Sequence, residues 1–522
     1  MPPNATSSSP RKTHFIGLAG AGMSAVAKLL RESGATVIGS DEAAYPPVSD
    51  YLKSENLTCR SPYATSNIDP DVTDFVIGKN ARLVPETNAE VAGALASGKP
   101  VRSFPEILKQ LAEGKETAIV AGSYGKSSCA SLLAHGLIEA QTDPSWFIGA
   151  IPLSPTSSAS LGQGKIFVME GDEYPSSNFD DRAKFLHYAP RHLLLTPLAH
   201  DHVNVYPTPE SYLRPFAQLV SNLPKDAPLV LCLDGDLSKI FKSSLPSQQS
   251  IVTYGLAKGD YRPANILWGE TTRFTLMRDG EPIIDLETSQ LGEHNIENIV
   301  GVGALLLSQN LISPETFARA VASFKGVRRR LDRKSEATSI PIYEAFGSSR
   351  EKARSAIAAM RRHYPNRRLV IVFEPHTFSW RNRAALSWYD DVFDGASHVY
   401  VYEPAEQGAT THAQLTQQEI VARVAATYLP VTALPPASEA AREAAGQIVG
   451  ELQANDALLL LTSGNLGGLI ETIPALAEQK FPIQKAKRLP ESTTAREART
   501  AAALRENLRK RKAQKEARKD KE

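Results

Sequence analysis

The sequence predicts an α/β protein of three domains: a Rossmann-like N-terminal domain, a P-loop-like central domain with a mostly parallel sheet, and a Rossmann-like C-terminal domain. Three observations carry this reading. The chain has 522 residues, room for about three domains at roughly 150 residues each. Short apolar runs alternate with longer stretches of helical periodicity, the pattern of a parallel sheet with crossover helices. The apolar runs end in glycines, acids or histidine, and open α/β sheets carry their chemistry at the carboxyl ends of the strands.

Residues 1–13 are polar and are expected to be a disordered N-terminus. The first domain is expected over residues 14–112. There HFIGLAG is a strand running into glycines, AGMSAVAKLLRESG has helical spacing and a glycine stop, and ATVIGSD and DFVIGKNA are further strands. The central domain is expected over residues 113–325. TAIVAGSYGKSSCASLLAHGLIEA reads as strand, glycine-rich turn and helix. KIFVMEGDE, HLLLTPLAHDH and PLVLCLDGD read as strands with polar ends, and NIENIVGVGALLLSQ and SPETFARAVASF as helices. The third domain is expected over residues 326–482, with PIYEAF, RLVIVFEP, HVYVYEP and ALLLLTSGN as strands and SREKARSAIAAMRRHY as one of the helices between them. Residues 483–522 form a basic tail, expected to be helical or disordered because it has almost no large apolar residues.

Charge and cysteine usage exclude several classes. The net charge is +1, yet Lys485 to Glu522 holds 14 Lys/Arg against 6 Asp/Glu, so the body is slightly acidic and has no global attraction for nucleic acid. The tail is left as a candidate surface for an unidentified partner. No apolar run approaches the ~20 residues of a membrane helix, and none near the start suits a signal peptide, so a cytoplasmic protein with no membrane partner is expected. Cys59, Cys129 and Cys232 lie far apart, with no metal-ligand spacing and no even count for a disulfide framework. They read as small buried thiols.

The strongest local signal is AIVAGSYGKSS. Gly122 and Gly125 allow a tight turn after a strand, Lys126 can reach β/γ phosphates, and Ser127 can place a hydroxyl on Mg²⁺. The spacing departs from the usual GxxxxGK[ST], since Val120 stands where the first glycine belongs; the alternative is a glycine turn capped by serines. GLAGAG, from Gly17 to Gly22, either cradles nucleotide phosphates or merely permits close helix–strand packing. Asp41 ends the next strand, as a ribose-binding acid or as a helix cap. Glu170, Asp172 and Glu173 follow one strand and Asp201 and His202 another, giving hard carboxylates and an imidazole beside the phosphate loop.

In order along the chain, these pieces resemble the Mur ligase family. GSYGKSS is similar to that family's ATP loop GTHGKTT, and EGDEYPSSNFDDRAKFLHYAPRHLLLTPLAHDHVNVY to the stretch holding its Glu-Ala-Asp-Glu turn and a strand ending in Asp-His. LGEHNIENIVGVGAL resembles its Gly-x-His-Asn-x-x-Asn helix start, GVRRRLD its Gly-Val-x-Arg-Arg-x-Glu, HFIGLAGAGMSAVA its UDP-binding start and TSGNLGG a C-terminal turn. Within the family, GSDEAAYPPVSDYL and DRAKFLHYAPR look like the murein peptide ligase branch, and EPHTFSWRNR more like the muramate–alanine ligase branch. The resemblance implies an ATP-dependent amide-forming ligase that joins L-Ala-γ-D-Glu-meso-diaminopimelate, or alternatively L-Ala, to UDP-N-acetylmuramate through an acyl phosphate in peptidoglycan recycling or synthesis.

It also implies roles for residues. Lys126, Glu170 and His202 would be catalytic, with Mg²⁺ on Ser127, Glu170 and His202. ATP, the co-substrate, would lie on Gly122, Ser123, Gly125, Lys126, Ser127 and Ser128, with His294, Asn295 and Asn298 near the adenine and Arg329 or Arg330 approaching the phosphates. Gly17, Ala19, Gly20, Ala21, Gly22 and Met23, with Asp41, would hold the UDP-sugar. The family's Asp-Asp-Tyr/Phe-Ala/Gly-His-His-Pro segment appears here as Glu344 to Arg350, so the acid expected on the ATP ribose falls at Ala345 and both histidines become serines. Tyr124 stands for a loop histidine and Asn204 for an acid. These departures support a rival expectation, a non-catalytic nucleotide-binding relative.

Overall fold

A computed structural model describes residues 11–44, 48–403, 414–435 and 441–483. Most of the expected N-terminal segment, nearly all of the basic tail, and residues 45–47 within GSDEAAYPPVSDYL therefore lie outside the described residues. The chain builds three sheets with helices packed on them, a mixed α/β architecture.

The N-terminal sheet has five parallel strands. Its central strand, Lys12–Ile16, lies between Thr36–Ser40 and Asp74–Ile77, with Thr58–Arg60 and Val101–Arg102 at the edges. The first strand begins at Lys12, inside the segment expected to precede the fold. The correction has a physical cause. Arg11 pairs with Asp74 and the Lys12 amide donates to Thr73 Oγ1 at 3.0 Å, so the neighbouring strand holds the residues that composition alone reads as loose.

The ten-stranded central sheet positions the site. Glu116–Ala121 is flanked in parallel by Pro190–Leu195 on one side and Ile166–Glu170 on the other. Register sets Val120 against Glu170 and Ala121 against Leu195, so three carboxyl ends come level. Leu229–Cys232 and Ile251–Tyr254 continue the sheet in parallel. Beyond them Tyr261–Leu267, Thr272–Arg278 and Glu281–Thr288 form an antiparallel extension, a departure from the mostly parallel sheet that the apolar runs predict. Its tightest turn is Asp279-Gly280, both at positive φ, the dipeptide and conformation of a type I′ hairpin. The helix Lys126–Glu139 is buried on nearly all sides because Glu293–Ser308 and Pro314–Ser323 pack beside it.

The C-terminal sheet runs in the order Arg330–Arg333, Ile342–Phe346, Asp456–Thr462, Arg368–Phe373, His398–Tyr402 and Val431–Leu434, all parallel except the first. Ile483, the last described residue, still belongs to this domain through its amide on Ala337 O.

Candidate active site

After Ala121 the chain turns through Gly122 at φ 135° and Gly125 at φ 84°. Neither position admits a side chain. A Cβ on Gly122 would stand 2.2 Å from Thr196 Oγ1, and one on Gly125 2.3 Å from Asn298 Oδ1. Gly125 caps the helix Lys126–Glu139 and no side chain occupies its first-turn amides, which leaves them directed at an anion. Ser123 braces the turn from below, its Oγ donating to Ala199 O and accepting from Ala199 N, each at 2.8 Å. Ser128 is buried.

The charged groups divide into two sets. Ser127 Oγ donates to Glu170 Oε1 at 2.9 Å, and Glu170 Oε2 accepts from Gly149 N at 2.7 Å. Lys126 Nζ donates to Gly122 O at 2.6 Å and to both oxygens of Glu173 at 2.9 and 3.1 Å. Glu173 is 1% exposed and also holds His202 Nε2 at 3.1 Å, while Tyr174 Oη meets His202 Nδ1 at 2.9 Å. The Glu173 carboxylate raises the imidazole pKa above the usual histidine value, against the opposing effect of burial. His202 sits at φ 56°, a left-handed conformation uncommon outside glycine. Ser127 and Glu170 are therefore together as expected. His202 is turned onto Glu173, a residue noted in the sequence but not assigned to the site.

The third domain reaches this loop. Arg329 and Leu331 both have positive φ, and between them Arg330 extends its guanidinium to within 3.3 Å of Ser127 Oγ. Arg329 instead donates to Glu344, which also receives Lys334 at 2.7 Å. Glu344 is thus committed inside its own domain, and Ala345, on the opposite face of its strand, is 5% exposed in that domain's core.

The helix Glu293–Ser308 supplies the remaining contacts. Asn298 packs on Gly125, accepts from Cys129 Sγ at 3.3 Å and donates to Asn295 Oδ1 at 3.3 Å. Asn295 Nδ2 in turn donates to Leu291 O. Both amides are buried and hold the loop in shape rather than standing open to a base. His294 keeps an exposed surface, with its ring against Gly292 and near Arg330 and His363 of the third domain. Burial there, and then the charge of Arg330, push its pKa down to about 4, so it is neutral near pH 7.

In the N-terminal domain Gly20 caps the helix Ala21–Glu32 with no side chain on its first amides. The amides of Ala21, Gly22 and Met23 are therefore open to an anion, although the Met23 side chain is buried in the core. Asp41 Oδ2 accepts from Ala19 N at 2.8 Å and Oδ1 from Tyr63 Oη at 3.0 Å, so this acid fixes the glycine turn. Gly17, at φ 90°, packs against Leu83.

The profile of the Mur ligase middle domain matches residues 120–306, and that of the Mur ligase family catalytic domain matches residues 12–116. A UDP-N-acetylmuramate–L-alanine ligase of Agathobacter rectalis is 30% identical over 408 residues, covering 77% of this chain and 85% of that protein. The chain belongs to the Mur ligase family. A UDP-N-acetylmuramate–L-alanyl-γ-D-glutamyl-meso-2,6-diaminoheptandioate ligase of Escherichia coli K12 is 28% identical over 398 residues, 76% of this chain and 85% of that protein. The solved UDP-N-acetylmuramate–alanine ligase of Thermotoga maritima superposes with a TM-score of 0.71 at 20% identity, covering 90% of this chain and 99% of that one, and so shares its fold. Mur ligases are ATP-dependent and form amide bonds, so this chain is an ATP-dependent carbon–nitrogen ligase of peptidoglycan assembly acting on small molecules. Among the described residues no helix is long and apolar enough to cross a membrane.

Proposed function

We propose that this Mur ligase joins the amino group of L-alanyl-γ-D-glutamyl-meso-diaminopimelate to the muramyl carboxylate of UDP-N-acetylmuramate, using ATP and Mg²⁺. The observation that carries the chemistry is the meeting of three elements at Ser127: the phosphate loop, Glu170 from the neighbouring strand, and Arg330 from the third domain. The Ser127 hydroxyl and the Glu170 carboxylate are adjacent hard oxygens, the donors Mg²⁺ takes, and would hold it with His202 once that imidazole leaves Glu173. Bound there, the ion offsets phosphate charge.

The muramyl carboxylate attacks the γ-phosphorus and ADP leaves. The amine then attacks the acyl phosphate, loses a proton, and inorganic phosphate departs. The chain's own work is positioning and charge stabilisation. Lys126, held in reserve by Glu173, rotates onto the β/γ oxygens. Arg330 approaches from the opposite side, and its domain closes off water that would hydrolyse the acyl phosphate. The open helix ends at Gly20 and Gly125 are the seats for the UDP diphosphate and the ATP phosphates respectively.

The tripeptide acceptor rests on GSDEAAYPPVSDYL and DRAKFLHYAPR and on the Escherichia coli relative. Lys184 of the second run lies between the N-terminal and central domains, on Asp172 and over the rings of Phe104 and Tyr174. A second reading, L-alanine as acceptor, is favoured by EPHTFSWRNR and by the Agathobacter relative. Phosphate release with UDP-N-acetylmuramate and ATP, measured separately with tripeptide and with L-alanine, decides between them. Turnover with L-alanine alone would replace the first reading, and turnover with neither would overturn both.

A further inference from the structure

We propose that Cys232, Asp234 and Glu297 form a second cation site, apart from the ATP loop, for a borderline-soft divalent transition metal such as Zn²⁺ or Co²⁺. One ligand atom from each residue lies within 4.8 Å of the others, and among the described residues these three are the group of His, Cys, Asp and Glu with that geometry. They come from two packed elements: Cys232 ends the strand Leu229–Cys232, Asp234 follows it, and Glu297 lies in the first turns of the helix Glu293–Ser308. Asp234 is exposed and gives the site its opening, and its Oδ2 is fixed by Leu256 N at 2.5 Å. Cys232 and Glu297 are buried. The sequence hid this grouping because the glutamate is 63 positions beyond Asp234 and fits no ligand spacing.

A second feature points to a ligand. Tyr254 is fully buried, and among the described residues its hydroxyl has no partner outside the cluster, where it meets the Cys232 thiol. It is the register partner of Cys232 on the adjacent strand. Its hydroxyl lies against Gly301, one turn beyond Glu297, where a Cβ would stand 2.8 Å from the oxygen. The cluster therefore has a thiol and two carboxyls, with the Tyr254 hydroxyl against the thiol.

Charge explains why a cation belongs there. Burial and the Asp234 carboxylate push Glu297 up to about 8, so at neutral pH it carries a proton, and the groups acting on it include no cation. Burial also raises the Cys232 thiol. The groups acting on Tyr254 are Cys232, Cys129 and Glu297, none of them basic. A divalent metal that displaces the Glu297 and Cys232 protons leaves the net charge of the buried site unchanged. Thiolate selects Zn²⁺ or Co²⁺ over Mg²⁺, which dehydrates reluctantly and prefers oxygen.

The test is Co²⁺ titration of the reduced full chain, followed by the near-ultraviolet thiolate-to-cobalt charge-transfer band. One equivalent is expected to bind, displaced by Zn²⁺ but not by millimolar Mg²⁺. Cys232→Ser is expected to abolish the band and Cys59→Ser to leave it. Glu297→Gln, which mimics the protonated acid and so keeps the metal-free packing, is expected to weaken binding at least tenfold. No band in the wild type, a band that survives Cys232→Ser, or unchanged affinity in Glu297→Gln would each overturn the site. The glutamine variant decides the matter if the serine variant does not fold.

Discussion

Restoring the family's acid at Ala345 is expected to damage this protein rather than improve it. Ala345 lies on the face of its strand that packs with Tyr343, Ala353, Ala356 and Ile357, and it is 5% exposed. In Ala345→Asp the new carboxylate would enter that apolar layer, while Arg329 and Lys334 stay engaged with Glu344 on the other face. An unpaired buried acid keeps its proton instead of ionising. Holding an aspartate neutral at pH 7 means a folded-state pKa raised by about 3 units, or roughly 4 kcal/mol. That is a large share of the 5–15 kcal/mol by which domains are typically stable. The sign follows from the raised folded-state pKa. The native state binds the extra proton, so stability falls as pH rises from about 4, the unfolded value, toward the folded value. Urea unfolding between pH 4 and 8 reads this as a midpoint that drops with pH in Ala345→Asp and stays flat in the isosteric Ala345→Asn. Wild-type stability in the aspartate variant, with a lowered KM for ATP, would refute the reasoning. It would show that this side chain turns to the nucleotide when the domains close.

Other outcomes follow from the same geometry. Lys126→Ala should keep the fold and lose more than nine-tenths of the ligation rate in a phosphate-release assay, a loss above ~1.4 kcal/mol; retention of a tenth or more would remove Lys126 from the chemistry. Gly125→Ala should raise KM for ATP far more than Gly114→Ala disturbs anything, because both glycines have positive φ but only the first is blocked, by Asn298; equal effects would mean that backbone conformation alone matters. Glu170→Gln should raise the Mg²⁺ concentration for half-maximal rate at least tenfold, and an unchanged requirement would leave Glu170 a brace for Ser127.

Much of this site was legible because strands end where apolar runs end, and three such ends converge on one loop. What the sequence left open depends on directions that periodicity does not reach. Glu170 ends its strand and Glu173 lies three residues on, where side-chain alternation has stopped. Only the turn decides that the first faces Ser127 and the second Lys126 and His202. Asp41 had two readings, ribose acid or helix cap, and the structure adds a third role, holding Ala19 N and Tyr63 beside the glycine turn. Among the three arginines of GVRRR, two left-handed residues send Arg330 alone to Ser127. The antiparallel extension left a readable signal in Asp279-Gly280 between alternating apolar residues, but its half-exposed strands lack the continuous apolar runs of the parallel ones.

The position of His202 links the two charged sets. Its Nε2 is taken by Glu173 and its Nδ1 by Tyr174, so the ring has no free nitrogen for a metal in this structure. A metal needs the neutral ring, whereas the Glu173 contact favours the protonated one. ATP phosphates that draw Lys126 away leave Glu173 with a single cationic partner, which strengthens its hold on His202 and disfavours coordination further. Raising pH through the elevated pKa removes the imidazolium proton and with it that hold. The Mg²⁺ requirement for ligation should therefore fall as pH rises above about 6.5, the unperturbed histidine value, and His202→Ala should abolish that dependence while raising the requirement overall. A wild-type Mg²⁺ requirement that is flat across this range, or the same slope in His202→Ala, would leave His202 as the partner of Glu173 alone and confine the metal to Ser127 and Glu170.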